Sequence, residues 1–220
     1  MPAILFGSIS TIADTSELQR EAFNAAFVEH GLDWEWSTDE YRSLLTSNGG
    51  RGRVEEYAKQ RGESVEVNAV HRTKSEIFRA KLAEAELLPR PGVAATIEEA
   101  RREGVKVALV TTTSPENVAA LTSAMASHVP MLDLDLLVDA TMVDAPKPDG
   151  AAYSFALAQL GEEASACVAV EDNVGGVSAA RSAGVRCVAF PNENTGEHDF
   201  SEADARVDQV SLGDLLGQQA

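Results

Sequence analysis

The feature that most constrains this sequence is an alternation of short apolar strand patterns with helical patterns. It begins at the N-terminus and resumes only after residue 89. The apolar runs, typical of buried strands, cover residues 3–6, 105–110, 134–138, 167–170 and 185–190. Helical patterns cover residues 93–103, 116–126 and 151–160. Alternation at this spacing is typical of right-handed βαβ units whose parallel strands are buried on both faces. We therefore predict an α/β core built on a parallel sheet.

The interruption after the first strand is a long stretch of helical pattern. Residues 15–88 carry apolar stripes at helical spacing, such as the one over residues 18–27, and no convincing strand. The stretch ends in Pro-Arg-Pro-Gly at residues 89–92, where the prolines fix φ and stiffen the chain. We predict an inserted all-helical cap domain over residues 15–88 and a core domain made of residues 1–14 and 89–220.

Charge and composition exclude some partners. The formal net charge is −17, so nucleic-acid backbones and anionic membranes would repel the chain, and we expect neither as a partner. Cys167 and Cys187 both lie within apolar runs, which favours buried, reduced thiols over a disulfide or a zinc site. No apolar stretch approaches the roughly 18 residues of a membrane span, and no leader pattern is visible at the N-terminus. These observations favour a cytoplasmic protein.

Three loops that follow core strands carry polar residues that could meet at the carboxyl edge of the sheet. The first begins at Thr111. Its hydroxyl and the backbone amides of Thr112 and Thr113 could bind a phosphate oxygen at a helix N-terminus. Capping of the next helix by Thr113 or Ser114 is the alternative explanation for these hydroxyl residues.

The second loop holds Lys147 between Pro146 and Pro148. A lysine in a rigid loop can hold its charge against a phosphate and a carboxylate together. Read alone, such a lysine is more often a surface residue.

The third loop carries the adjacent acids Glu171 and Asp172, directly after an apolar strand. Two carboxylates at a buried strand end repel each other unless a cation lies between them, which favours a hard metal such as Mg²⁺. Capping of the next helix by Asp172 is the alternative, and it explains only one of the two acids.

A threonine, a lysine and an acidic pair, each after a strand and in this order, form a far more specific pattern than any one of them. In this pattern the chain resembles the haloacid dehalogenase-like superfamily, whose second, third and fourth motifs match residues 109–111, 147–148 and 171–173. Further matches resemble the CbbY-like and β-phosphoglucomutase-like branch and lie at residues 20–24, 49–53, 90–93, 111–114 and 198–200. The resemblance implies a doubly wound parallel-sheet core with a helical cap inserted after the first strand.

The first motif of that superfamily, D-x-D-G-T, is degenerate in this chain. In the family its first Asp attacks phosphorus and ligates Mg²⁺, and its second Asp acts as acid and base. Here the nucleophile position is Gly7 and the acid/base position is Ile9, while Thr11 is kept. Gln19 stands where the branch usually has a cap histidine.

The resemblance also implies where a ligand would bind. A weakened Mg²⁺ site would use Glu171, Asp172 and the backbone carbonyl of Ile9. A phosphate would bind through Thr111, Thr112 and Lys147. A distal phosphate of the substrate would meet the cap residues Gly49, Gly50, Arg51 and Arg53. For this last set the alternative is a solvated helix N-terminus.

Three functional hypotheses follow. The first is a CbbY-type sugar-phosphate phosphatase scaffold that binds a phosphorylated sugar or another small phosphate ester. It would be an inactive or impaired pseudoenzyme, since Gly7 cannot form a phospho-enzyme and Ile9 cannot protonate a leaving group. The second is an active hydrolase that uses water, Ser8 or Ser10 in place of the aspartate. The third is a non-catalytic regulatory or interaction protein, whose protein partner the sequence leaves open.

Overall fold

The computed structural model describes residues 2–46, 49–128 and 134–217. Its centre is a six-stranded parallel sheet in the order β3-β2-β1-β4-β5-β6. The strands are β1 Ala3–Phe6, β2 Lys106–Val110, β3 Leu136–Val138, β4 Cys167–Glu171, β5 Arg186–Ala189 and β6 Ala205–Arg206. The strand order reverses direction between β1 and β4, which makes a crevice beyond their carboxyl ends. This confirms the predicted doubly wound α/β fold.

The strands are buried because helices cover both faces of the sheet. The helices of the core are α6 Val93–Arg102, α7 Pro115–Met125, α8 Ala151–Leu160, α9 Val174–Ser182 and α10 Leu212–Gly217. Along β1, Ile4 and Phe6 point into one apolar cluster and Ala3 and Leu5 into the other. This two-sided burial explains why the strands are apolar throughout instead of alternating.

Some features of the core differ from the expectation. β6 was not predicted, because its two residues are too short to form a pattern. The one-turn helix α1, Ile9–Ile12, follows β1 directly, and the Ser8 side chain caps it by accepting from the backbone amide of Ser10. Both cysteines are free and buried, as predicted.

The inserted segment is helical, as predicted. Its helices are α2 Ser16–Glu29, α3 Thr38–Leu44, α4 Gly50–Arg61 and α5 Val67–Glu84, and the described residues between 15 and 88 contain no strand. α2 packs along α5. An aromatic cluster, with Trp36 at a centroid distance of 4.8 Å from both Phe23 and Phe27, fills its interior. α4 begins earlier than expected, so Gly50 and Arg51 lie in its first turn rather than in a loop.

Polar contacts join the cap to the core on both sides of the crevice. Arg42 Nε donates to Asn194 Oδ1 at 3.3 Å, and Arg79 donates to Asn117 Oδ1 at 3.2 Å. At the second linker, the buried Arg90 donates to the carbonyl oxygen of Ser10 in α1 and to that of Phe190, directly after β5. The cap therefore lies over the carboxyl ends of the strands. Among the described residues, no helix is long and apolar enough to cross a membrane.

Candidate functional site

The structure brings the predicted strand-end residues together around Lys147. Its ammonium donates to the backbone carbonyl of Gly7, to that of Val110 at 2.8 Å, and to Glu171 Oε1 at 2.6 Å. These acceptors lie at the carboxyl ends of β1, β2 and β4, so one buried cation joins three strands. We call Gly7, Thr111, Lys147, Glu171 and Asp172 the strand-end site. Because Lys147 is only 6% exposed, the surface-lysine alternative is wrong.

Glu171 points into the protein rather than into the crevice. It is fully buried, and its Oε1 accepts from the Tyr153 hydroxyl at 2.6 Å as well as from Lys147. Burial raises the pKa of Glu171, and the neighbouring ammonium opposes that rise. Burial, and then the charge of Glu171, raise the pKa of Tyr153 well above its usual value. The tyrosine therefore stays a neutral donor to the carboxylate.

The Glu171 carboxylate occupies the space that a side chain at residue 7 would need. A Cβ built on Gly7 would overlap Glu171 Oε1 and the Tyr153 hydroxyl, and one built on Gly176 would overlap the same carboxylate. Each of these Cβ distances would be well below 3.0 Å, a separation below which Cβ atoms in proteins are essentially never found. Only glycine fits at either position while Glu171 keeps this conformation. Sequence reasoning missed this pairing, since the side-chain direction of Glu171 leaves no trace in a pattern.

Asp172 is held by side-chain donors on both of its oxygens. Oδ1 accepts from the Ser8 hydroxyl at 2.8 Å and from Asn173, and Oδ2 accepts from Asn192 at 2.8 Å. The N-cap of α9 is Asn173, whose side chain accepts from the amide of Gly176. Capping by Asp172, the alternative explanation for this acid, is therefore wrong.

The oxygen atoms that were expected to ligate Mg²⁺ are not arranged to hold a divalent cation. Hydrogen-bond donors of the protein occupy both oxygens of Asp172 and Oε1 of Glu171. Glu171 Oε2 is buried and has no hydrogen-bond partner among the described residues. The Ile9 carbonyl accepts the backbone amide of Ala13, inside the turn of α1. Within residues 2–46, 49–128 and 134–217, no group of three or more His, Cys, Asp or Glu side chains is placed to hold a metal.

The loop after β2 carries the residues that the sequence predicts to bind a phosphate, and one of the predicted amides, that of Thr113, is already bound within the loop. Thr111 is buried, and its hydroxyl oxygen accepts the amide of Thr113 at 3.2 Å. Thr112 is half-buried beside it. The N-cap of α7 is Ser114, as the alternative explanation for this loop proposed, so capping accounts for Ser114 but not for Thr111.

The glycine-rich cap segment separates into inward and outward residues. Arg53 is 7% exposed, donates to the carbonyl of Leu44 and lies against the rings of Phe23 and Tyr41. Burial lowers its pKa. Arg51 is exposed and pairs with Glu55 at 3.5 Å. Gly49 is exposed, and Gly50 packs beside His71. The solvated-helix alternative thus describes Arg51, and it is wrong for Arg53.

A buried lysine in the cap was not predicted. Lys74 is 3% exposed, donates to Gln19 Oε1 at 3.0 Å and lies over the rings of Phe23 and Phe78. Burial, and then the charge of Arg53, lower its pKa to about 7. A signal existed in the sequence, since Lys74 interrupts the apolar stripe of α5 formed by Val70, Phe78 and Leu82.

His71 completes a group of basic side chains, and we call Arg51, Arg53, His71 and Lys74 the cap cluster. Burial lowers the pKa of His71 to about 4, and the charges of Lys74, Arg51 and Arg53 add to that effect. The neighbouring charges that shift the pKa values of His71 and Lys74 are thus all basic.

A chain of contacts joins the cap cluster to the core. Gln19, the acceptor for Lys74, reaches Thr15 Oγ1 at 3.4 Å, and Thr15 is 2.8 Å from the hydroxyl of Ser10. Ser10 lies in α1, which follows β1. A continuous chain of contacts therefore runs from the cap cluster to the segment of the core that follows β1.

Comparisons with known proteins agree with this architecture. A sequence model described as haloacid dehalogenase-like hydrolase matches residues 1–184. Protein CbbY of Cereibacter sphaeroides is 40% identical over 219 residues, which cover 98% of this chain and 95% of that protein. The crystal structure of CbbY from Rhodobacter sphaeroides in complex with phosphate has a TM-score of 0.86 at 39% identity and covers 95% of each chain. A mutant of that protein was crystallised with xylulose-(1,5)bisphosphate, and its structure matches with the same TM-score and identity.

Proposed function

The chain belongs to the haloacid dehalogenase-like hydrolases, and on that basis we propose that it binds a phosphorylated sugar between cap and core without hydrolysing it by the aspartyl route. One observation carries this proposal. The Glu171 carboxylate fills the space beside Gly7 where, by resemblance, the nucleophile would stand. The position of the reacting group is thus closed by the protein itself.

The two substitutions remove separate chemical steps. A glycine offers no atom that could attack phosphorus, so no phospho-enzyme can form at residue 7. Ile9 has no proton to give to a leaving alkoxide, and its side chain is buried within the apolar core. The first loss abolishes the aspartyl route, and the second alone would slow it by about 10²–10⁴-fold.

Binding requires less than turnover, and two groups of residues support the proposal that the chain still binds a ligand. The cap cluster supplies buried positive charge, and its guanidinium and ammonium groups suit phosphate oxygens. Across the crevice, Thr111 and Thr112 begin the loop that leads into α7. A ligand with two phosphates could contact both sides. The xylulose-(1,5)bisphosphate bound by the Rhodobacter sphaeroides relative has this form, and we propose it or a similar sugar bisphosphate as the ligand.

The test is ligand-induced stabilisation, since a ligand that binds only the folded state must raise the melting temperature. Xylulose bisphosphate is expected to raise the melting temperature of the wild type, and to raise that of Lys74→Met by clearly less at the same concentration. Lys81→Met is a matched control, because Lys81 lies on the same helix and forms a surface pair with Glu21. That variant should respond as the wild type does. No shift with a panel of sugar phosphates would contradict the proposal and favour a regulatory or interaction protein.

A second candidate function is favoured by one contact. The Ser8 hydroxyl donates to Asp172 at 2.8 Å, which places a nucleophile beside a base. In a hydrolase of this kind, Ser8 Oγ would bond to phosphorus while the bond from phosphorus to the sugar oxygen breaks. The Ser8 proton would pass to Asp172, and the leaving sugar oxygen would take a proton from water. A second water would then hydrolyse the phosphoserine, which releases inorganic phosphate and restores the Ser8 hydroxyl. Phosphate release that is lost in Ser8→Ala but kept in Ser10→Ala would establish this function. Absence of release in the wild type, or equal release in all three proteins, would exclude it.

A further inference from the structure

We infer that the buried Lys147–Glu171 ion pair takes the place of the divalent cation, so that the strand-end site holds no metal. The inference rests on the geometry of this site and not on the identity of the ligand. It differs from the expectation of a weakened magnesium site at Glu171, Asp172 and the Ile9 carbonyl.

The first step concerns the donors of Lys147. An ammonium group has three N–H donors and no acceptor. Two backbone carbonyls at strand ends and the Glu171 carboxylate lie within reach of these donors. The ammonium is thus committed to protein acceptors. Moreover, a metal ligated by Glu171 Oε1 would lie beside this positive charge, which would repel it.

The second step concerns the enclosure of Glu171. Glycines at positions 7 and 176 leave room for its carboxylate, and a Cβ at either position would exclude it. To ligate a metal in the crevice, Glu171 would have to break its hydrogen bonds to Tyr153 and Lys147. The ammonium of Lys147 would then be buried without its carboxylate. Removing one partner from a buried ion pair is strongly unfavourable.

The third step is the balance of charge. Each of the two carboxylates of the strand-end site has a cation near it, Lys147 beside Glu171 and Arg90 near Asp172. Arg90 lies close enough to Asp172 for the two charges to affect each other. Hard divalent cations are held by an excess of carboxylate and carbonyl oxygen. With Gly7 and Ile9 at the first motif, this site has no such excess.

The most direct experiment titrates the full chain with Mn²⁺, a paramagnetic substitute for Mg²⁺, and follows free metal by electron paramagnetic resonance. Asp172→Asn is the matched control, since it changes the site and leaves the acidic surface intact. We expect equal binding by both proteins up to about 1 mM, the weak end of the range for hard-cation sites. One bound Mn²⁺ per wild-type chain that is displaced by Mg²⁺ and lost in Asp172→Asn would overturn the inference.

A thermodynamic cycle tests the replacement itself. Gly7→Asp forces a carboxylate into the space of Glu171, and Glu171→Ala leaves Lys147 without its partner. Each single variant should lower the melting temperature by roughly 5–15 °C. In the double variant the new aspartate can serve Lys147, so at least half of that loss should be recovered. Additive losses in the double variant would contradict the inference, and the Mn²⁺ titration decides it even where a variant does not fold.

Discussion

The two buried lysines of this protein differ in what compensates their charge. In the strand-end site, Lys147 faces a carboxylate and backbone carbonyls. In the cap cluster, Lys74 faces the neutral amide oxygen of Gln19 and two aromatic rings, with Arg53 nearby. Both ammonium groups are less than a tenth exposed. The first charge is compensated by a carboxylate, and for the second the described part of the chain shows no carboxylate in contact.

This difference separates a structural role from a binding role. A buried cation without a counter-ion costs stability, and the cost persists only where the charge has another use. An anionic ligand would supply the missing charge to Lys74. Lys147 needs no ligand to balance its charge, because the Glu171 carboxylate lies 2.6 Å from its ammonium. In the core, the charge of Lys147 is thus balanced by Glu171, whereas in the cap the cluster around Lys74 is basic.

The largest expected effect comes from breaking the internal pair. Lys147→Met should destabilise the fold by about 3–5 kcal/mol at neutral pH, because it leaves Glu171 buried without its partner. Urea unfolding measures this loss. The pKa of Glu171 is already raised by burial, and without Lys147 it rises further. A protonated Glu171 carries no charge that needs a partner. The stability lost in Lys147→Met should therefore become smaller as the pH falls from about 8 to 5.

Lys81→Met is the control for that measurement. Its partner Glu21 is at 2.6 Å, and both side chains are more than a third exposed. Such surface pairs contribute about 0–1 kcal/mol. Equal losses in Lys147→Met and Lys81→Met would mean that the strand-end pair is not the closed, compensating unit described above.

The next effect concerns the uncompensated lysine. Lys74→Met should reduce the affinity for a sugar bisphosphate by about 10–100-fold, the factor expected when one hydrogen bond to a charged group is lost. At about pH 6 it should also leave stability unchanged or higher, because it removes a buried charge. Calorimetric titration and thermal melting measure the two quantities. A variant that loses stability but keeps its affinity would identify Lys74 as structural.

The pH dependence of binding sharpens the same contrast. The pKa of Lys74 is lowered to about 7, so the ammonium loses its proton above that pH in the free protein. An anionic ligand favours the protonated form, and binding above pH 7 must then take up a proton. Affinity should therefore fall by about tenfold or more from pH 7 to 9. The same titration on Lys74→Met should be nearly flat, and a flat wild-type profile would contradict the assignment.

The smallest effect is expected at the edge of the cap cluster. Arg51 is exposed and pairs with Glu55, so Arg51→Ala should change stability by less than about 0.5 kcal/mol. Its loss should lower ligand affinity by no more than about threefold at physiological salt, and by more at low salt. Calorimetry at two salt concentrations tests this. A loss as large as that of Lys74→Met would place the exposed arginine, rather than the buried lysine, at the centre of binding.

The sequence predicted the core well because the signals there are local. Helix α8 begins and ends where its pattern indicated, and Thr111, Lys147 and Glu171 meet at one edge because parallel strands end together. The inward turn of Glu171 could not be predicted, since it depends on empty space at Gly7 and Gly176, two residues far apart in the chain. Lys74 is an intermediate case, because its place in an apolar stripe is visible in the sequence but its charged neighbours are not.

The most direct test uses the wild-type protein in excess over xylulose bisphosphate, with and without Mg²⁺. Bound ligand and released inorganic phosphate are measured in the same sample. We predict saturable binding that does not depend on Mg²⁺, and no release of phosphate over many hours. Phosphate released in step with Mg²⁺ concentration, at a rate that Lys147→Met abolishes, would contradict the account of a ligand-binding crevice whose reaction centre is closed by Glu171.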